Sequence, residues 1–144
     1  MVRTIAKDYD AKRERILAAA ANVFANCGVT SASMTEVAKA CGISKGNIYH
    51  YYDSKQAILF EILDNYLSRL RGRVMALEMD VSDVQGSLEA LCAEILNAYE
   101  GMDYEHKIHT EGIPLLPKDQ QSILKGYQRD MVHHLEAFLS AANE

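Results

Sequence analysis

Between residues 33 and 47 the sequence SMTEVAKACGISKGN signals two helix starts and one helix break within a dozen positions. Ser33 followed by Glu36 is a capping box, in which hydroxyl and carboxylate satisfy orphan backbone donors at a helix start. The helix it opens spans about Met34 to Ala40, because Gly42 breaks it. Ser44 then serves as a second N-cap, and a second short helix must run from about Lys45 to Tyr51. Two short helices joined by three or four residues that include glycine form a helix-turn-helix. Ala38, Ile43 and Ile48 are placed to pack its corner.

The rest of the chain is consistent with that unit. Strand signals are nearly absent and apolar residues recur at helical spacing throughout. A first helix is expected from about Asp10 to Cys27, with Ile16, Ala20, Val23 and Cys27 on one stripe and Gly28 as its stop. Ser54 caps a long helix from Lys55 to about Glu78. Its stripe of Ile58, Ile62, Tyr66, Leu70 and Met75 is broadened by Leu59, Leu63 and Leu67, enough to face more than one neighbour. Further helices are expected over Asp83–Tyr99, with Leu88, Leu91, Cys92, Ile95 and Tyr99 inward, and in short form around Tyr104–Thr110. After the break at Gly112, Pro114 and Pro117, a last helix runs over Lys118–Ala142, with Ile123, Tyr127, Met131, Leu135 and Phe138 at helical spacing. The fold class is therefore all-α, with about seven helices. The division expected is a three-helix N-terminal domain over residues 1–54 and a helical C-terminal domain over 55–144.

Composition narrows the setting. No apolar run approaches the length of a membrane span, and the N-terminus carries no apolar signal segment. Cys27, Cys41 and Cys92 form no CxxC pair, which fits a reduced, cytoplasmic chain and small buried side chains. The net charge of −5 is unevenly spread. Residues 1–60 carry 8 Lys/Arg against 5 Asp/Glu, and residues 61–144 carry 7 against 15. A polyanion would be met by the front half and repelled by the rear.

The stretch SKGNIYHYYDSK, residues 44–55, sharpens that expectation. Successive helix residues turn by about 100°, so Tyr49, His50, Tyr51 and Tyr52 sweep too much of the circumference for one core face. With Ile48 and Tyr52 inward, His50 and the Lys45–Gly46–Asn47 end face outward. Lys donates to guanine O6 and N7, and Asn pairs with adenine N6 and N7. Tyrosine hydroxyls bond phosphates and fix register. Gly46 lets backbone approach closely. Ser33 and Ser44 stand at helix N-termini, which favour phosphate. Lys55 opposes the dipole at the start of its helix, an oddity that a phosphate would remove.

ILAAAANVFANCG and SMTEVAKACGISKGNIYHYYDSKQAIL together resemble the DNA-binding domain of the TetR/AcrR family of transcriptional repressors, over about residues 12–63. The resemblance implies that Lys45, Gly46, Asn47 and His50 face bases. It implies that Tyr49, Tyr51, Lys55, Ser33 and Ser44 hold phosphates. Arg3 and Lys7 form either a basic arm near the minor groove or a disordered tail. Family members usually carry two further C-terminal helices that build a dimeric four-helix interface. This chain ends after its seventh helix, either as a truncated product or as a short member, and homodimerisation is expected where those helices exist.

The resemblance further implies a palindromic double-stranded DNA operator and a small-molecule effector. Ligand would favour a state whose two recognition helices no longer match both half-sites. Leu63, Tyr66, Leu67, Leu91, Ile95, Tyr99, His109, Tyr127 and Met131 are the candidate lining of the effector pocket; the alternative is that they are bundle core. His106 and His109 lack the third and fourth ligands that zinc needs, so no metal and no cofactor are expected. With no GxSxG, P-loop or HExxH, an enzyme is not expected. The competing function is a helical protein-interaction module, or a truncated regulator that no longer senses an effector.

Overall fold

The computed structural model describes residues 2–144. They form seven α-helices and one 3-10 turn, with no strand among the described residues. The helices are α1 (Val2–Cys27), α2 (Met34–Cys41), α3 (Lys45–Ile48), α4 (Lys55–Ala76), α5 (Val84–Tyr99), α6 (Asp103–Gly112) and α7 (Lys118–Ala142), with the 3-10 turn at Ile113–Leu115. No helix is long and apolar enough to cross a membrane among the described residues.

The chain divides into two compact units, Met1–Leu63 with Tyr104–Leu116, and Asp64–Asp103 with Pro117–Glu144. In the first, Ile16, Ala20, Ala21 and Phe24 of α1, Val37 and Ala38 of α2, Ile48 of α3 and Ile58, Leu59 and Leu63 of α4 are all buried. Ile108, Ile113 and Leu116 are buried too. Gly112 lies close against α4: a Cβ there would meet Leu59 Cδ1 at 3.1 Å and Leu63 Cδ1 at 3.2 Å, so a larger residue would push α6 off that surface.

In the second unit Leu70, Val74 and Leu91 are buried, with Ile95, Ala98, Tyr99, Met131 and Leu135 packed against them. Arg71 bonds Asp130 at 2.8 Å and Arg73 bonds Glu94 at 2.6 Å along its flanks. Asp83 caps α5 by accepting from the Gly86 N–H at 3.0 Å. The buried Ser87 hydroxyl closes the preceding loop, accepting from Asp80 N–H at 2.8 Å and donating to Asp80 C=O at 3.2 Å.

Several sequence expectations shift. Helix α1 starts at Val2 rather than near Asp10, so Arg3 and Lys7 are helical and exposed rather than a tail. Nothing in VRTIAKDYD breaks a helix, and Val2, Ile5, Ala6 and Tyr9 continue the apolar stripe. Cys27 and Cys92 are exposed and Cys41 half-buried, not core. Val74 and Leu124 are buried where Met75 and Ile123 were expected, a one-residue drift of the stripe. On α5, Ser87, Leu91 and Ile95 turn inward, leaving Val84, Leu88, Cys92 and Leu96 along an open apolar groove, with Leu96 68% exposed.

Candidate nucleic-acid interface

Two caps and one left-handed glycine shape the interface. Ser33 Oγ accepts from the Glu36 N–H at 3.1 Å and donates to Glu36 Oε1 at 3.1 Å, which fixes the start of α2. Gly42 ends α2 at φ 75°, with its N–H directed to the carbonyls of Ala38 and Lys39. That left-handed conformation favours glycine and turns the chain sharply. Ser44 Oγ then accepts from the Asn47 N–H at 3.0 Å and starts α3. Helices of this length have almost no stability of their own, so caps and one buried anchor must hold α3.

That anchor is Ile48, which is fully buried. The regular helix ends there instead of running to Tyr51. His50 N–H bonds Asn47 C=O at 3.1 Å and Tyr51 N–H bonds Ile48 C=O at 3.0 Å, so the chain tightens into three-residue turns. Tyr52 N–H returns to Ile48 C=O at 3.1 Å. Lys45, Gly46, Tyr49 and His50 are exposed, Asn47 and Tyr51 half-buried, and Tyr52 buried. The division of the aromatic run into an inward and an outward part therefore stands, although the tightened turn alters the α-helical sweep behind it.

Behind the turn lies a cluster that sequence reading missed. Arg13 Nε donates to the Tyr52 hydroxyl at 3.3 Å, and Arg13 Nη2 pairs with Glu61. The Arg13 guanidinium lies 4.8 Å from the Tyr52 ring centre and 5.8 Å from that of Tyr9. Burial holds the Tyr52 hydroxyl above its ordinary pKa, and hydrogen bonding to Glu61 raises it further. Bonds to Glu61 and Tyr52 hold the Arg13 pKa above its ordinary value as well. Tyr9 stacks on Tyr51, ring centres 4.9 Å apart at 29°. The only sequence signal is the helical register of Tyr9 and Arg13 with Ile16, which an α1 starting near Asp10 hides.

Lys55 finds partners within the chain. Its Nζ donates to the carbonyls of Thr30 at 3.1 Å and Ala32 at 2.9 Å. This accounts for a cation at a helix start: it fastens the α1–α2 connection to α4. Lys55→Met is expected to lower stability by about 1–2 kcal/mol, at the low end for charged hydrogen bonds because one of the two is exposed. Thermal or urea unfolding checks this, and an unchanged midpoint would remove the fastening role.

The effector candidates fall in both units. Leu63 is buried in the first, where His109 is half-buried with Nδ1 at 2.6 Å from the His106 carbonyl. Tyr66, Leu67, Leu91, Ile95, Tyr99, Tyr127 and Met131 belong to the second. There Tyr66 and Tyr99 rings lie 6.3 Å apart, and Leu91, Ile95, Tyr99 and Met131 share the core cluster. The Tyr127 hydroxyl donates to Asp64 Oδ1 at 2.7 Å, a bond that raises its pKa. No grouping of three or more His, Cys, Asp or Glu that could hold a metal occurs among the described residues.

Residues 16–62 match the model of the bacterial regulatory proteins of the tetR family. Over 95 residues the chain is 34% identical to the HTH-type transcriptional repressor KstR2 of Rhodococcus jostii, covering 66% of this chain and 45% of that protein. The chain thus spans less than half the length of that relative. The structure of the TetR-family regulator PfmR from Thermus thermophilus superposes with a TM-score of 0.80 at 27% identity, covering 90% of this chain and 69% of that one. A TetR-family regulator from Bordetella parapertussis gives 0.73 at 28% identity, covering 88% and 66%. The capped α2–α3 turn, the buried Ile48 and the matched stretch 16–62 agree, and residues 16–62 are those of the tetR family of bacterial regulatory proteins.

Proposed function

We propose that this chain is a ligand-responsive transcriptional regulator, acting as a repressor at a palindromic DNA operator in the cytoplasm. The observation that carries the reading is the outward edge of Lys45, Gly46, Tyr49 and His50, with Asn47 half-buried, set over the inward Ile48 and Tyr52. Lys45, Gly46, Asn47 and His50 meet base edges in the major groove. Tyr49, Tyr51, Ser44, the backbone N–H groups of the α2 N-terminus at Ser33 and the remaining donor of Lys55 meet phosphates. Residues 1–54, with Lys55 at the start of α4, carry this task, and the rest of 55–144 carries effector binding. A homodimer presents the recognition helix to two half-sites. The name of KstR2 as a repressor supports the sign of regulation. AibR, of the same fold at 21% identity, is solved with isovaleryl coenzyme A and operator DNA. That supports an effector of small-molecule type here, with Tyr66, Tyr99, Tyr127 and Met131 as the first residues to probe.

The test is selection of bound duplexes from a random-sequence pool by the purified chain. The expected result is enrichment of an inverted repeat whose half-sites are centred about one helical turn apart or more, with affinity that falls steeply as salt rises. Failure to enrich any sequence overturns the reading.

A further inference from the structure

We infer that Tyr9 is a positioning residue for DNA binding: through its ring it holds Tyr51, and with it the turn that follows the recognition helix, in register against α1. This rests on the DNA-binding reading above. The geometry is a ladder. Glu61 of α4 holds the Arg13 guanidinium, which also bonds the buried Tyr52 hydroxyl. Arg13 lies near the faces of both Tyr52 and Tyr9. Tyr9 in turn stacks on Tyr51. Tyr52 has the core and Arg13 to fix it. Tyr51 is one residue nearer the outward edge, half-buried, and its ring rests on that of Tyr9.

A turn that presents Tyr49, His50 and Tyr51 to DNA needs those side chains ordered before contact, because ordering them on binding weakens it. A four-residue helix cannot supply that order alone. A stacked aromatic pair supplies it without a formal charge. Two turns of α1 precede the body of the unit, with Val2 and Ile5 exposed. Tyr9, 40% exposed, is the residue of that extension that reaches the recognition turn. The extension carries Asp8 and Asp10 as well as Arg3 and Lys7, so its contribution is argued from the ring and not from charge.

The experiment measures affinity of the full chain for the selected duplex, across a salt series, for Tyr9→Ala and Tyr9→Phe, with Lys45→Ala alongside. Tyr9→Ala is expected to weaken binding by roughly 3–10-fold, the size of a lost aromatic pair converted to a binding ratio. Its salt slope stays that of the unaltered chain, because Tyr51 is neutral and no cation that pairs with a phosphate is removed. Tyr9→Phe keeps the ring and binds as the unaltered chain does. Undiminished binding by Tyr9→Ala overturns the inference. So does a shallower slope for Tyr9→Ala, which would mean that a cationic phosphate contact, and not the ordering of a neutral ring, had been lost. So does equal weakening by Tyr9→Phe, which would place the effect in the hydroxyl. If the unaltered chain binds no duplex, or Lys45→Ala changes nothing, the recognition-turn reading fails and this inference falls with it. A null at Tyr9 beside a loss at Lys45 sinks the inference alone.

Discussion

Ile48→Ala is expected to lower the free energy of unfolding by about 2–5 kcal/mol, the range for truncating a fully buried aliphatic side chain. The upper part of that range is favoured by the local architecture. Ile48 is the one buried residue of α3 and is fully enclosed. Its carbonyl also accepts from both Tyr51 and Tyr52, at 3.0 and 3.1 Å. A cavity beneath it loosens the whole Lys45–Tyr52 segment, since a single-turn helix does not persist without tertiary contacts. Urea unfolding followed by circular dichroism gives the global value, and amide exchange at Tyr51 and Tyr52 reads the local one. Ile48→Val should cost only about 0.5–1.5 kcal/mol. An Ile48→Ala midpoint equal to that of the unaltered chain, with Tyr51 and Tyr52 amides still protected, would mean that the caps alone hold α3.

The capped turn was the most legible part of the molecule because its signals are local. Ser33, Gly42 and Ser44 each act on backbone groups within a few residues, and no distant partner decides their role. Legibility ended where side chains meet across elements. That Lys55 reaches the carbonyls of Thr30 and Ala32 depends on how the α1–α2 connection passes the start of α4, which no spacing encodes. The same holds for Arg13, whose partners Tyr52 and Glu61 lie far along the chain. On α5, Leu88, Leu91, Cys92 and Ile95 all read as inward. Periodicity alone does not say which of two apolar faces a helix buries, and the structure chose the face of Leu91 and Ile95. The start of α1 was lost for a simpler reason: polar residues among VRTIAKDYD masked an apolar register that becomes visible only once Tyr9 is seen against Tyr51.

Replacing Lys45 and Asn47 by alanine is the other change of large expected effect, and it separates two kinds of DNA contact. Each bidentate pair to a base edge contributes about 1–3 kcal/mol of discrimination, so each replacement should cost roughly tenfold or more in affinity for the selected operator. The two need not act alike. Asn47 is neutral; its loss should leave the salt slope unchanged and abolish preference at one base pair of each half-site. Lys45 carries charge at an exposed position. As a base contact its loss relaxes a neighbouring base pair, whereas as a phosphate contact it makes the slope shallower by about 0.9 and leaves preference intact. Competition of each variant against single-base operator changes, repeated at two salt concentrations, resolves these outcomes. Neither replacement should lower stability by more than about 0.5–1 kcal/mol, because neither side chain is part of the buried core. Unchanged affinity and unchanged base preference in both variants would mean that the outward edge of α3 does not read DNA, and the exposed Lys45–Gly46–Asn47 end would then need another explanation.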